Sequence, residues 1–392
     1  MIKKKIKVLR IINRFNIGGP TYNATFLTAF LSEKFETLLI GGAPDKQESD
    51  SLHILKKYNV EPLIIPELKR NPNLFSDRKA LKKIKSIIKE FKPDIVHTHA
   101  SKAGAIGRQA AFICGIPVVI HTFHGHVFHS YFGKLKTWIF KKIEQRLAQK
   151  SSAIIAISKT QKYELTHVHG ICQLEKVHVI PLGFDLEEFK LNRENKRIFT
   201  RGKFNVEQDT IAIAIVGRLA EIKNHTFFID AAKLVKAKSQ KKLKFFIVGD
   251  GEERENLKKY YFEKAPECDI IFTSWIKDIA SFNCGMDIIC LCSKNEGTPV
   301  SLIEAQACNI PIVSTSVGGI EDVVENNVTG LLSKPNDLEE FVNNLFKLIE
   351  NENFRLKMSQ NGWNFVKDKF GYSRLVTDVE KLYEKLLKKS LN

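Results

Sequence analysis

Residues 295–305 read Asn295-Glu296-Gly297-Thr298-Pro299-Val300-Ser301-Leu302-Ile303-Glu304-Ala305 and follow an apolar run, 287–293, with the length of a buried strand. Pro299 is placed to open a helix, since its missing N–H would be an unsatisfied donor there anyway. The start of such a helix offers free N–H groups and the positive end of its dipole to an anion. Glu296 before the helix and Glu304 inside it are therefore positioned to bind hydroxyl groups on either side of a bound phosphate.

Three further predicted strand ends in this half of the chain carry glycines. They are Val216-Gly217-Arg218-Leu219, Val248-Gly249-Asp250-Gly251-Glu252 and Ser316-Val317-Gly318-Gly319-Ile320. A glycine at a strand end lets the backbone approach a ligand closely. Arg218, with a planar fork, and Lys223, a point charge, are suited to a diphosphate. The combination favours a nucleotide-diphosphate site without naming the nucleotide, and it contains neither a P-loop nor a G-x-G-x-x-G motif.

Strands alternate with helices along the whole chain, and this order predicts parallel sheets that bind ligands at the carboxyl ends of their strands. The first strand, 7–12, leads into the glycine turn Gly18-Gly19-Pro20. The alternation pauses after residue 181, runs through a polar stretch at 190–208 and restarts at Ile211. We therefore predict two α/β domains, residues 1–185 and 200–372, followed by an amphipathic helix within 373–392.

The positive charge lies almost entirely in the N-terminal half. The chain carries a net charge of +17, and residues 1–185 contain 30 Lys/Arg against 14 Asp/Glu, a net +16. Residues 78–89 form an amphipathic pattern with a basic face, and residues 131–142 mix lysines with aromatic side chains. We interpret this half as contacting an anionic membrane surface, rather than nucleic acid, because no nucleic-acid-binding signature accompanies the charge.

Other classes of protein are disfavoured by composition. No apolar run reaches the roughly 18 residues that a membrane helix needs, and the basic start lacks a signal-peptide core. The seven cysteines are scattered and, like the histidines, lack zinc-site spacing, so they are interpreted as reduced cytosolic thiols. We accordingly expect a cytoplasmic protein.

The paired glutamates, with Gly217-Arg218-Leu219, Lys223-Asn224 and the glycine pair at 318–319, resemble bacterial glycosyltransferases of family 4 over essentially the whole chain. The resemblance implies the α/β GT-B fold. In it, two Rossmann-like domains face each other across a cleft, and a C-terminal helix crosses back to the N-terminal domain. It also implies transfer of a sugar with retention of configuration, without a metal or other cofactor.

By this resemblance, Arg218 and Lys223 hold the donor diphosphate, Glu296 contacts the sugar ring and Glu304 contacts the ribose. The wider donor site is expected to include Gly18, Gly19, Gly217, Gly249, Ile276, Gly297, Thr298, Pro299, Val300 and Ser301. His124, after a predicted strand, would lie by the reacting carbon, which makes His124, Glu296, Arg218 and Lys223 the expected catalytic residues. Acceptor contacts are expected at Lys102, His126 and His129.

The expected reaction moves a sugar from a nucleotide-diphosphate sugar, UDP in preference to GDP, to a lipid-diphosphate-linked or glycan acceptor. Such chemistry serves O-antigen, capsule or exopolysaccharide synthesis at the inner face of the cytoplasmic membrane. Two alternatives remain at this point: a sugar-nucleotide 2-epimerase of the same architecture, which needs no acceptor, and a non-catalytic subunit that binds a nucleotide sugar. The intact pairs of glutamates and cations argue against both.

Overall fold

The computed structural model describes residues 4–16, 18–44, 51–69, 73–124 and 134–391. The chain forms two α/β units, the first from Met1–Phe184 with Phe370–Asn392 and the second from Asp185–Lys369. Within the described ranges, no helix is both long and apolar enough to cross a bilayer.

The first unit is built on a seven-stranded parallel sheet in the order β3-β2-β1-β4-β5-β6-β7. Its strands are β1 (Ile6–Arg14), β2 (Phe35–Gly42), β3 (Leu63–Ile64), β4 (Ile95–His99), β5 (Val118–Phe123), β6 (Ala153–Ala156) and β7 (Val177–Val179). Its α-helices up to this point are α1 (Gly19–Ala29), α2 (Leu52–Lys57), α3 (Leu74–Phe91), α4 (Ser101–Ile113), α5 (Lys134–Lys150) and α6 (Lys159–Tyr163). A π-helical turn (Glu164–Val168) and a 3-10 turn (Leu174–Lys176) follow α6.

The second unit is built on a six-stranded parallel sheet in the order β10-β9-β8-β11-β12-β13. Its strands are β8 (Ile211–Val216), β9 (Leu243–Val248), β10 (Ile270–Thr273), β11 (Ile288–Leu291), β12 (Ile312–Thr315) and β13 (Gly330–Ser333). Its α-helices are α7 (Glu187–Lys190), α8 (Arg193–Lys203), α9 (His225–Lys238), α10 (Arg254–Lys264), α11 (Ile279–Gly285), α12 (Val300–Ala307), α13 (Ile320–Val323), α14 (Leu338–Glu350) and α15 (Glu352–Phe370). A 3-10 turn (Glu221–Lys223) precedes α9.

In each sheet the strand order reverses once, between β1 and β4 and between β8 and β11. Ligands of doubly wound sheets bind outside the carboxyl ends of the strands at such a reversal. The two predicted strands β8 and β11 thus lie side by side, and the glycine turn after β8 is next to the glutamate loop after β11. This topology confirms the predicted α/β class with two Rossmann-like domains.

The last helix, α16 (Tyr372–Leu391), belongs to the first unit, as the expected crossing helix does. Its apolar face is buried against one side of the first sheet, where Leu375 and Val379 join a core with Ile95 and Ile120. Helix α1 adds Leu27 to that same side. The opposite side of the sheet is covered by α3 and α4 and, toward β5 and β6, by α5.

The predicted start of the second domain at residue 200 is too late, because the second unit begins at Asp185 and ends at Lys369 rather than 372. The polar stretch at 190–208 contains α8, which carries no apolar core face. It is held instead by polar bonds. Arg197 and Arg201 reach Asp287 at 2.8 and 3.1 Å, and Thr200 Oγ1 donates to the Ser281 carbonyl at 2.8 Å. Hydrophobic periodicity could not detect such a helix.

Candidate active site

In the second unit, the turn after β8 and the loop after β11 are joined at their backbones and side chains. The Lys294 amide donates to the Ile222 carbonyl at 2.8 Å. Lys223 Nζ then binds Glu296 Oε1, and Ser293 Oγ donates to the same oxygen at 2.6 Å. The structure thus brings Lys223 and Glu296 together, as their positions after neighbouring strands predict. Lys223 has further N–H donors for a ligand.

Arg218, at the end of β8, forms an ion pair with Glu252 of the loop after β9, with Nη2 and Oε2 3.0 Å apart. Both side chains are more than half exposed, at 64% and 54%. Exposed pairs of this kind contribute about 0–1 kcal/mol, so a diphosphate can replace Glu252 at little cost. Glu252 was quoted in the glycine turn but was not among the predicted site residues.

Two glycines allow loops of the second unit to approach each other: Gly249 brings the loop after β9 to the turn after β8, and Gly318 brings the loop after β12 to the Glu296 loop. Gly249 has φ +138° and Gly318 has φ +55°, conformations that other residues rarely adopt. A Cβ on Gly249 would lie 2.0 Å from the Gly217 carbonyl oxygen, and one on Gly318 would lie 2.0 Å from the Glu296 carbonyl oxygen. The Gly319 amide also donates to that oxygen, at 3.0 Å. The glycine pair after β12 therefore fixes the backbone of the Glu296 loop, a role that the sequence analysis did not assign.

The space beside Gly217 is open. A Cβ added there would have the Lys223 side chain, 3.8 Å away, as its nearest neighbour. Gly297 has no atom within 4 Å of such a Cβ. Open space beside both backbones is consistent with their predicted ligand contacts.

Helix α12 begins at Val300 with Pro299 as its N-cap residue, so the proline precedes the helix by one position instead of opening it. Neither a side-chain cap nor an acidic residue occupies the first turn. The N–H groups of Val300 and Ser301 have no acceptor within the helix, since a first turn never supplies one. Thr298 lies just before the cap. This helix start thus has the free N–H groups that the predicted anion site requires, and anion binding there stays a prediction.

Glu304 lies in the second turn of α12 and is half-buried. Burial and, to a lesser extent, the nearby Glu188 carboxylate together raise the pKa of its carboxyl to about 8. Among the described residues, no hydrogen bond to its side chain is formed. A desolvated, unpaired carboxyl is available to ligand hydroxyl groups. Ile276, also half-buried, follows the edge strand β10, and no contact in the structure tests its expected role.

In the first unit, His124 pairs with His99, and their Nε2 and Nδ1 atoms are 2.9 Å apart. The two residues follow or end adjacent strands, since His99 of β4 is opposite Thr122 of β5. Burial lowers the pKa of His124 to about 3. Burial, and then the neighbouring His97 and His124, lower the pKa of His99. Both imidazoles are therefore neutral at physiological pH, and each keeps a buried ring nitrogen without a partner.

His99 was not predicted, although it ends a strand in the same way as His124. Behind it, His97 is hydrogen-bonded on both ring nitrogens: Nδ1 lies 2.6 Å from Tyr383 Oη, and Nε2 lies 2.7 Å from Thr122 Oγ1. Arg10 Nη2 donates to the same Tyr383 oxygen at 3.1 Å. Tyr383, which joins these hydrogen-bonded side chains, belongs to α16.

Gly18 and Gly19 lie at the start of α1, directly after β1, where Thr21 and Tyr22 donate to the Gly18 carbonyl at 3.1 and 3.3 Å. They occupy the carboxyl-end edge of the first sheet, next to the His99 strand. The contact of these glycines with a donor phosphate stays a prediction.

Lys102 does not present a free charge for an acceptor phosphate, contrary to expectation. Its Nζ lies 2.6 Å from Asp77 Oδ1 and donates to the Lys69 carbonyl at 2.9 Å. The first turn of α3 brings Asp77 beside α4. The ion pair could not be predicted from the sequence, because the two residues are far apart along the chain. The expected acceptor residues His126 and His129 lie outside the described residues.

Among the described residues, no group of three or more His, Cys, Asp or Glu side chains is arranged to hold a metal ion.

Comparison with known proteins identifies the family. The family model for Glycosyltransferase Family 4 matches residues 18–188, and that for Glycosyl transferases group 1 matches residues 196–365. UDP-Gal:alpha-D-GlcNAc-diphosphoundecaprenol alpha-1,3-galactosyltransferase of Escherichia coli is 31% identical over 327 residues, which cover 83% of this chain and 84% of that protein. The capsular polysaccharide biosynthesis glycosyltransferase CapM of Staphylococcus aureus is 28% identical over 341 residues, covering 86% and 88%.

Among solved structures, Anabaena Alr3699/HepE in complex with UDP superposes with a TM-score of 0.82 at 19% identity, covering 97% of this chain and 100% of that one. At this identity the likeness concerns the fold, which is the predicted GT-B fold. With two family models matching in succession and a relative above 30% identity along most of both chains, the protein belongs to glycosyltransferase family 4.

Proposed function

We propose that this glycosyltransferase moves a sugar from a UDP-sugar, in preference to a GDP-sugar, to a lipid-diphosphate-linked or glycan acceptor. The transfer retains anomeric configuration, needs no metal, and serves assembly of a bacterial cell-surface polysaccharide. The enzyme works in the cytoplasm at the inner face of the membrane, which its basic N-terminal domain contacts. The names of the Escherichia coli and Staphylococcus aureus relatives and the UDP bound to HepE support the UDP-sugar donor, the lipid-diphosphate-linked acceptor and the role in polysaccharide assembly.

The observation that carries the proposal is the Lys223–Glu296–Ser293 cluster beside the uncapped start of α12. As the bond between the sugar and the diphosphate breaks, negative charge develops on the leaving oxygen. Lys223, Arg218 and the first N–H groups of α12 would meet that charge without rearranging, which is the most effective form of electrostatic catalysis. The same groups supply the charge that a bound divalent metal ion would otherwise provide.

The geometry at Glu296 favours retention without a covalent intermediate. One of its oxygens already accepts from both Lys223 and Ser293, and such bonds stabilise the carboxylate and reduce its nucleophilicity. We therefore assign Glu296 to binding the sugar hydroxyls, while the leaving phosphate takes the proton of the acceptor on the same face. Trapping a glycosyl ester on Glu296 would refute this assignment.

The donor site can be tested by thermal unfolding in the presence of UDP, GDP, ADP and their sugar conjugates. A ligand at 100 times its dissociation constant stabilises by about 2.7 kcal/mol, a shift of several degrees. We expect a shift with UDP compounds that Arg218→Ala and Lys223→Ala each reduce. Lys294→Ala is the matched control, because Lys294 also pairs with a carboxylate, Glu221 at 3.0 Å, yet lies outside the proposed diphosphate contacts.

Turnover distinguishes the competing functions. Incubation with a radiolabelled UDP-sugar and membrane lipid should give a labelled lipid, with an α-linked product from an α-linked donor, and excess EDTA should leave the rate unchanged. Loss of activity with EDTA would refute metal independence. Conversion of the UDP-sugar without any acceptor would indicate an epimerase, and nucleotide binding without turnover would indicate a non-catalytic subunit.

A further inference from the structure

Three helices of the first unit, α3, α4 and α5, form one layer on a single side of the sheet. Asp77 of α3 binds Lys102 of α4, and Arg108 of α4 binds both carboxylate oxygens of Glu144 of α5, at 2.9 and 2.7 Å. Helix α4, largely buried, lies between the other two. The outward surface of the layer is therefore supplied mainly by α3 and α5.

Helix α3 presents a stripe of cations that ends in two exposed apolar residues. Successive residues of a helix are turned by about 100° around its axis, so the cations and the two apolar residues all lie within one arc of roughly 140°. These residues are Leu74, Phe75, Arg78, Lys79, Lys82, Lys85 and Lys89. Leu74 and Phe75 are 76% and 77% exposed, more than any other large apolar side chain described. The buried residues Ala80, Ile84 and Ile87 occupy the opposite arc.

Helix α5 repeats the pattern. One arc of about the same width contains Trp138, Ile139, Lys142, Ile143, Arg146 and Lys150. Trp138, Ile139 and Ile143 are 58%, 43% and 41% exposed. The acid of this helix, Glu144, faces inward and is bound by Arg108.

Little negative charge offsets these stripes. Of the acidic residues in the three helices, Asp77 and Glu144 are held in the ion pairs between helices. Glu90 is exposed but lies at the last turn of α3, away from Leu74 and Phe75. We call the outward surface of α3 and α5 the basic–apolar face.

The apolar ends of both stripes lie at one edge of the unit. Helices that connect parallel strands begin near the carboxyl ends of those strands. Leu74 and Phe75 in the first turn of α3, and Trp138 and Ile139 near the start of α5, are thus at the edge where β4 and β5 end. His99 and His124 lie at that same edge.

We propose that the basic–apolar face docks on an anionic lipid bilayer, with Leu74, Phe75 and Trp138 entering the headgroup region. Cations over lipid phosphates with apolar side chains below them are the features that interfacial helices share. A nucleic acid would match the cations but would leave Leu74 and Phe75 in water. This deepens the proposed function, because the docked edge would receive a lipid-linked acceptor where His124 lies.

Cosedimentation of the full chain with vesicles tests the proposal. We expect binding to vesicles of phosphatidylcholine mixed with phosphatidylglycerol and little binding to phosphatidylcholine alone. Each cation near an anionic surface contributes about fivefold in affinity, so Arg78→Glu/Lys79→Glu/Lys82→Glu should weaken binding by about 100-fold or more. Leu74→Ser/Phe75→Ser should weaken it as well, and the remaining binding should be more sensitive to salt.

The matched control is Ile198→Ser/Phe199→Ser, a pair on α8 of the second unit that is 64% and 65% exposed. It should bind vesicles as the wild type does. Equal binding to both kinds of vesicle, or wild-type binding by both α3 variants, would overturn the proposal. The UDP-induced thermal shift, measured on the same samples, reports on the donor site. A shift without vesicle binding refutes the docking face and the proposed membrane contact but leaves the proposed donor standing, and vesicle binding without a shift refutes only the proposed donor.

Discussion

Glu304 makes the stability of the second unit depend on pH. Burial keeps its proton bound up to about pH 8 in the folded protein, whereas the unfolded chain releases it at an ordinary glutamate pKa. Between those values the folded state binds more protons, so the free energy of unfolding falls as pH rises. Glu304→Gln removes this dependence. We expect its melting temperature, relative to wild type, to rise from pH 5 to pH 8 and then to level off.

Thermal unfolding of both proteins across this pH range is the measurement. Glu321→Gln is the control, because Glu321 is an exposed glutamate of the same unit, in the first turn of α13. A pH trend particular to Glu304→Gln would belong to the buried carboxyl. A constant offset between Glu304→Gln and wild type would contradict the raised pKa.

His99 is expected to position His124 rather than to bind the donor. Removing it by His99→Ala frees the His124 ring, and misplacing a catalytic group by about 1 Å costs on the order of 100-fold in rate. We expect kcat to fall by about 10- to 100-fold while the affinity for UDP stays unchanged. His99→Asn, whose amide can replace the Nδ1 contact, should restore part of kcat.

Kinetics with a UDP-sugar and UDP titrations on the same variants make this measurement. Equal loss in His99→Ala and His99→Asn, or a parallel loss of UDP affinity, would indicate a structural role only. Both imidazoles are neutral well below pH 7. The pH profile of wild-type activity should therefore show no change near pH 6.5 caused by titration of His124.

At the scale of elements, the strands at the reversal of the second sheet were predicted in position, since β8 begins at the predicted Ile211 and the predicted strand 287–293 contains β11. Both Ile211–Val216 and Ile288–Leu291 are continuous apolar runs, a pattern typical of fully buried strands. The two-residue strand β3 and the polar helix α8 were missed, because β3 is too short to show a period and α8 buries polar side chains, Thr200 and Arg201, instead of apolar ones.

From the residues alone, the site was most predictable where one stretch of chain contains its residues, and the family resemblance added Arg218 and Lys223 to it. Glu296, Glu304 and the start of α12 follow one another, so their order was sufficient. The contacts His99–His124 and Arg218–Glu252 join different strand ends, and they depend on strand order and side-chain rotamers that no local pattern contains. The same limit explains the wrong expectation for Lys102, because its partner Asp77 lies on another helix.

The conformation of the loop that carries Glu296 should depend more on Gly318, which follows β12, than on Gly297 in the loop itself. Gly318→Ala places a Cβ against the Glu296 carbonyl in a left-handed conformation, and overpacking costs about 1–3 kcal/mol. We expect a lower melting temperature and a loss of kcat/KM of about 100-fold, because the loop must shift. Melting curves and kinetics on both glycine variants make the comparison.

Gly297→Ala is the matched control, since an added Cβ there meets no atom within 4 Å. It should leave the free energy of unfolding within about 0.5 kcal/mol of wild type, as open surface positions do, and the melting temperature should be nearly unchanged. If the two variants had equal melting temperatures, the contact between the two loops would not hold the site.

At the scale of the whole molecule, the last helix makes the first unit dependent on both ends of the chain. Tyr383 is fully buried and links Arg10 of β1 with His97 of β4. The apolar face of α16 completes the core on that side of the sheet. The second unit has a separate core, in which Ile213, Phe245 and Leu345 participate. The two units can therefore lose stability independently.

Tyr383→Phe tests this independence with the deletion of one oxygen atom. The change leaves Arg10 Nη2 and His97 Nδ1 buried without their partner, which costs about 1–3 kcal/mol. Hydrogen exchange followed by mass spectrometry should show faster exchange in β1, β4 and α16, with β8 to β13 unchanged. Tyr260→Phe removes a hydroxyl that donates to Asp230 at 2.9 Å in the second unit, and it should leave β1, β4 and α16 unaffected. Uniformly faster exchange in both units of Tyr383→Phe would mean that the chain unfolds as one cooperative body, and the separation of its cores would then have no thermodynamic consequence.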